Sequence, residues 1–221
     1  MFDGQILHDL KNPLAGITGS TGLFLEGMLG PLTEDQRKQL ENIDFAAKKL
    51  ALMLAELTFI NNAEQGGAAV SPATFTAAEL RPELAWVKEL AAKEDKTIAE
   101  SFDDALNLRT DKELTVMVLQ DLLMNAVKQI DRGRQVQLNI RQDKKQFLFE
   151  ITYGGEGIPK EFLARVFEKD FRAKHQELKT KTSAGLGFYA CKLAVENQGG
   201  QIGLESAPGK SRIYFYLPAA G

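Results

Sequence analysis

The chain has 221 residues, 44% hydrophobic and 26% charged, which suits one large or two small domains that can bury a core and need not be disordered. A formal net charge of −3 argues against nucleic acid as a partner. Cys191 is the single cysteine and no apolar run reaches ~18 residues, so neither an intrachain disulfide nor a membrane-inserted helix is expected, and the setting reads as cytoplasmic.

Apolar residues recur at Leu7, Leu10, Leu14, Ile17, Thr21 (methyl and hydroxyl), Phe24 and Met28. Steps of three and four predict a helix to about Met28 that buries one stripe. With Leu7 on the seam, His8 falls beside it, toward solvent. Asn12 follows one turn later on the same face, flanked by Asp9 and Lys11. Such a face is either ordinary solvated polarity or an imidazole displayed for chemistry. Pro13 lies within this helix and should bend it. Gly30-Pro31 breaks the pattern, and Thr33 with Gln36 forms a capping box for a second helix. That helix carries Gln36, Leu40, Ile43, Ala47, Leu50, Leu54 and Leu57 in the same rhythm. Two such stripes cannot both be buried within one hairpin, so residues 1–62 are expected to form a four-helix bundle by homodimerisation.

Residues 63–75 are rich in Ala, Gly, Ser and Pro and read as a linker. Residues 76–221 change period. Thr76 with Glu79 caps a helix through Trp86 and Leu90, and residues 97–102 alternate as a strand. Thr110 with Glu113 opens a helix of about 20 residues through Ile130. Two strands, 135–142 and 146–153, flank a charged turn, and a helix should follow Pro159. A polar stretch, 173–183, precedes a helix starting near Ala184. Strands 201–205 and 211–217 meet around Pro208-Gly209. The class is α+β: a helical hairpin followed by an α/β sandwich, one sheet against helices.

Several blocks stand out: His8-Asp9-Leu10-Lys11-Asn12-Pro13-Leu14; Asp121-Leu122-Leu123-Met124-Asn125-Ala126-Val127-Lys128; Tyr153-Gly154-Gly155-Glu156-Gly157-Ile158-Pro159; Val166-Phe167-Glu168-Lys169-Asp170-Phe171-Arg172; and Ser183-Ala184-Gly185-Leu186-Gly187-Phe188-Tyr189. Asn125 and Lys128 lie three apart on one helix face and can address one ligand. Gly185 and Gly187 precede a helix, where absent Cβ atoms and the helix N-terminus suit a phosphate. In this order the five blocks resemble the H, N, first glycine, F and second glycine boxes of sensor histidine kinases, over nearly the whole chain.

The resemblance implies a histidine-phosphotransfer hairpin joined to a GHKL-type (Bergerat) ATP-binding sandwich. It makes His8 the phosphate acceptor from ATP, Asp9 the group that polarises its ring, and Asn12 the group that places water for dephosphorylating a partner receiver domain. It assigns Asn125 to Mg²⁺ and Lys128 to phosphate. Gly185, Leu186 and Gly187 fall to the phosphate turn, and Tyr153, Gly155, Gly157 and Ile158 to the adenine end. The expected partner is a response-regulator receiver domain.

Some positions depart from the family pattern. Tyr153 stands where an aspartate accepts from the adenine amino group. Asp121 and Ser183 replace an asparagine and a glycine, and Asp170 replaces an aromatic residue. The H block is intact. Two readings follow: an ATP-dependent protein-histidine kinase, or a degenerate kinase with weak nucleotide binding that acts as a phosphotransferase, a phosphatase or a platform for a response regulator or another histidine kinase.

Overall fold

The computed structural model describes residues 4–169, 171 and 186–219. They divide into two compact units, Met1–Gly67 and Ala68–Gly221.

In the first unit, α1 spans Gly4–Leu25 and α2 spans Glu34–Glu64. Helix α1 stops short of the expected Met28 because Gly27 takes a left-handed φ of 78°. The Met28 amide then donates back to the Leu23 carbonyl (3.0 Å), the Schellman closure that glycine makes cheap. Pro13 sits inside α1 without ending it. The Thr33–Gln36 capping box forms as expected, with the Thr33 amide donating to Gln36 Oε1 (2.9 Å) and the Gln36 amide to Thr33 Oγ1 (3.3 Å).

Leu7, Leu14, Ala47 and Leu54 form the hairpin core, with Leu57 packed against it. Thr21 extends this inward line as a hydrogen bond: its hydroxyl donates to buried Asp44 Oδ1 (2.7 Å), and Asp44 pairs with Lys48 (2.7 Å). The intervening stripe members stay uncovered within one chain. Leu10 is 47% exposed, Ile17 45%, Ile43 49% and Leu50 48%. Each helix therefore spends half of its apolar seam on closing the hairpin.

The second unit is built on a five-stranded sheet, in the order β2-β4-β5-β7-β6. Its strands are β2 (Thr97–Ser101), β4 (Gln135–Asp143), β5 (Gln146–Tyr153), β6 (Gln201–Ala207) and β7 (Lys210–Pro218). Only the β2–β4 pair is parallel. Helices α3 (Leu80–Lys93), α4 (Lys112–Gln129) and α6 (Gly187–Asn197) supply the other layer, and α5 (Lys160–Leu163) is a single turn after Pro159. Between the layers lie Leu84, Leu119, Leu122, Leu138, Ile151, Ile213 and Ala194, all buried. Phe149 and Phe215 stack across β5 and β7 at 4.5 Å. Alternation in β5 and β7 orients one residue in two toward this core, which leaves Tyr153 opposite Ser211 at the strand ends.

Some expectations are corrected. The linker is shorter than 63–75: α2 continues to Glu64, and Ala73–Thr76 forms β1, paired with β3 (Asn107–Thr110) so that Phe75 faces Leu108. The Thr76–Glu79 box opens a 3-10 turn, Ala77–Glu79, before α3 begins. There the Thr76 amide (2.9 Å), with Lys112, holds the Glu79 carboxyl below the ordinary carboxylate range. The cap of α4 is Asp111 and not Thr110: Asp111 Oδ1 accepts from the Leu114 amide (3.0 Å), while the Thr110 hydroxyl accepts from that of Thr115 (3.1 Å).

Candidate functional site

His8 is a helical residue of α1, between buried Leu7 and exposed Asp9; Asn12, one turn on, is exposed. Gly185 and the departures at Asp170 and Ser183 lie outside the described residues, as does the polar stretch 173–183.

In the second unit the site grows from α4. Apolar residues pin most of its circumference to the sheet and to α3 and α6, yet Asp121 and Asn125 are buried among them. Buried polar groups must be hydrogen-bonded, and these two satisfy each other. The Asn125 amide nitrogen donates to both the main-chain oxygen and Oδ2 of Asp121, each at 2.9 Å. The buried Cys191 thiol points to the same Oδ2 at 3.6 Å. Gly187, the first residue of α6, lies directly on this carboxylate: a Cβ there would sit 2.6 and 2.7 Å from its two oxygens. Glycine thus lets α6 begin in direct contact with α4, where any side chain would have to push the Asp121 carboxylate aside. Leu186, half-buried, is the N-cap of α6 and accepts from the Ala190 amide (2.8 Å).

The turn after β5 is held just as tightly. Gly155 adopts φ 116°, and a Cβ there would collide with the Gln129 carbonyl oxygen at the end of α4. Gly157 adopts φ 82°, and its Cβ would lie 2.8 Å from the Ala207 carbonyl carbon. The Gly209 amide donates to the Gly155 carbonyl (2.8 Å), and the Ile158 amide to Ser206 Oγ (2.9 Å). Ser206 Oγ is 2.7 Å from the Oγ of buried Ser211, the cross-strand neighbour of Tyr153. Tyr153 itself is buried. Phe167 packs on Phe188 of α6 (centroids 5.5 Å) and so ties the F block to that helix.

A cavity of about 810 Å³ opens between the last turn of α4, the loop after it and the glycine turn. It brings Lys128 together with Gly155, and adds Asp131, Arg134 and Glu156, which sequence reasoning did not single out. The only sequence signal for Arg134 is its place in the charged run Asp131-Arg132-Gly133-Arg134. Asn125, Tyr153, Gly157 and Ile158 do not line this cavity; Asn125 and Gly187 meet instead at Asp121.

A helical layer lies over a mixed sheet, and the Gly155 and Gly187 turns both close on the helix that carries Asn125. The chain belongs to the histidine kinase-, DNA gyrase B-, and HSP90-like ATPase family, whose model matches residues 110–221. Residues 4–66 match the His Kinase A phospho-acceptor domain, so the chain carries the domain pair of a sensor histidine kinase catalytic core. It is 27% identical over 217 residues to the sensor protein KdpD of Clostridium acetobutylicum, covering 97% of this chain and 24% of that protein. It is 25% identical over 214 residues to the alginate biosynthesis sensor protein KinB of Pseudomonas aeruginosa, covering 96% and 35%. The chain thus spans roughly a quarter to a third of the length of these relatives. Full-length ShkA in complex with AMPPNP superposes with a TM-score of 0.63 at 21% identity, over 98% of this chain and 46% of that one.

Proposed function

We propose that the chain is an ATP-dependent protein-histidine kinase core acting in two-component signalling. The observation that carries this reading is the pairing, in one chain, of a phospho-acceptor hairpin with an ATPase unit. A neutral His8 ring nitrogen attacks the γ-phosphorus of ATP, the bond to the ADP oxygen breaks, and Asp9 balances the positive charge left on the ring or accepts the proton of its other nitrogen. A receiver aspartate of a response regulator then accepts the phosphoryl group, and Asn12 places water when that product is hydrolysed. In the ATPase unit, Lys128 and the turn of Gly185, Leu186 and Gly187 address the phosphates. Gly155, Gly157, Ile158 and Tyr153 form the adenine end. Asn125 is the residue to hold Mg²⁺, and a cation there would also offset the neighbouring Asp121 carboxylate, which otherwise repels a triphosphate. Cytoplasmic placement follows from the need for ATP and from a lone, reduced cysteine; no helix among the described residues is long and apolar enough to cross a membrane.

The homodimer belongs to the same proposal. Leu10 and Ile17 of α1 and Ile43 and Leu50 of α2 are large, apolar and uncovered, and a second copy presents the matching seam. Substitution of Ile17 and Leu50 by aspartate is expected to convert the dimer into a monomer by light scattering at micromolar concentration, with the ATPase unit still folded. An unchanged dimer would place the interface elsewhere.

The degenerate reading is favoured by Tyr153, which brings a buried phenol where a carboxylate is expected to meet adenine. The discriminating test is calorimetric titration of ATP, with and without Mg²⁺. A kinase gives saturable, Mg²⁺-dependent binding, whereas the platform reading gives none in the micromolar range. Replacing a missing buried acceptor is worth roughly 1–3 kcal/mol, so Tyr153→Asp is expected to tighten nucleotide binding by about tenfold. An unchanged affinity would remove Tyr153 from the adenine pocket.

A further inference from the structure

We propose that Lys96, which lies outside every sequence block, is a positioning residue for the phosphate-binding end of α4. The inference rests on the proposed function, in which Lys128 addresses the phosphates of the nucleotide.

Lys96 lies in the turn between α3 and β2 and is only 8% exposed. An ammonium held this far from water is costly unless its protons are used. Here they are. Nζ donates to the Val127 carbonyl at 2.9 Å and to Glu94 Oε2 at 2.7 Å. The Val127 carbonyl belongs to the last turn of α4, where no later helical amide remains to satisfy it. Lys96 supplies the missing donor, and its charge faces the negative end of the helix dipole.

Two neighbours repeat the attachment. The Gly133 amide donates to the Asp95 carbonyl (2.6 Å), and the Thr97 amide to the Arg134 carbonyl (3.1 Å). Asp95 adopts a left-handed φ of 57°, and the Lys96 amide closes α3 on the Ala91 carbonyl (2.9 Å). The platform is therefore a fixed helix end. Three consecutive residues, 95 to 97, grip the chain at 127, 133 and 134. The segment between those grips supplies Lys128 and Asp131, and with Arg134 it makes one wall of the cavity. Lys96 does not line the cavity. It acts through the residue that follows the carbonyl it holds.

The test is a double-mutant cycle on the full chain, with ADP–Mg²⁺ affinity read by calorimetry and folding by urea denaturation. Lys128→Met is expected to weaken binding by about tenfold, and Lys96→Met by about threefold to tenfold, with the double variant no weaker than Lys128→Met alone. Lys96→Arg, which keeps a charged donor, should restore affinity. A purely structural lysine would lower stability and leave affinity unchanged in the folded protein, or give losses that multiply in the double variant; either result overturns the inference. If Lys96→Met does not fold, Glu94→Gln carries the test. It loosens the ammonium at a half-exposed site and should weaken binding by about twofold to threefold, again only while Lys128 is present; no effect there overturns the inference as well. Weakening by Lys128→Met alone defeats only the role of Lys96. A silent Lys128→Met defeats the assignment of Lys128 to the phosphates, and this inference with it.

Discussion

Replacement of His8 by glutamine is expected to abolish acid-labile phosphorylation of the chain while leaving fold, dimer and nucleotide affinity unchanged. The nucleophile is the one group the proposed reaction cannot do without: Asp9 and Asn12 supply a carboxylate and an amide, neither of which replaces an imidazole nitrogen as phosphoryl acceptor. Loss of an essential nucleophile lowers turnover by factors on the order of 10³ or more, which in a gel or intact-mass assay is complete loss. Glutamine is a sound helix former, and position 8 lies in the first turns of a helix closed by Leu7, Leu14, Ala47 and Leu54. Retention of label in His8→Gln would move the acceptor elsewhere and separate the hairpin from the chemistry.

The largest effect in the ATPase unit is expected from Gly155→Ala. At φ 116° an L-residue carries backbone strain of about 1–3 kcal/mol, and here a methyl group also meets the Gln129 carbonyl at the end of α4. That carbonyl is backbone at the rim of the cavity and has no side chain to swing aside, so the turn must lift away from the helix. Nucleotide affinity should fall at least about tenfold, and the unit's thermal midpoint by several degrees. Gly133→Ala is the control. It has a similar left-handed φ of 71° but open space around its Cβ position, so it should show the strain without the collision and leave affinity largely intact. Equal affinity losses in the two variants would mean that packing of Gly155 on α4 does not shape the site.

The hairpin was legible because its signals are local and redundant. A seam repeating every seven residues specifies the packed face, and the Thr33–Gln36 box needs only its own four residues. The charged turn between residues 142 and 146 likewise placed the β4–β5 hairpin. What escaped sequence reasoning depends on distant partners or on competition between neighbours. Strands β1 and β3 have four residues each and become strands only by pairing with one another across more than 30 positions. Asp111 takes the cap of α4 from Thr110 because its carboxylate can serve the Leu114 amide and the Ser71 amide (2.8 Å) together.

The site shows the same division. The blocks put Asn125 on a helix, where it lies in α4, and Gly187 ahead of a helix starting near Ala184, whereas it is itself the first residue of α6. Their meeting point, the Asp121 carboxylate, looked in sequence like a bare departure that repels phosphate. In the fold it is the acceptor that orients the Asn125 amide and the surface on which α6 begins. Lys96 and Arg134 carry no motif at all; only three-dimensional packing brings them to the end of α4.

The proposed reaction is tested most directly by incubating the intact chain with ATP and Mg²⁺ and mapping the phosphate by mass spectrometry under alkaline conditions. One phosphoryl group is expected, on the peptide containing His8, formed only when both ATP and Mg²⁺ are present. An unmodified chain at saturating nucleotide, or phosphate on any other residue, would contradict it.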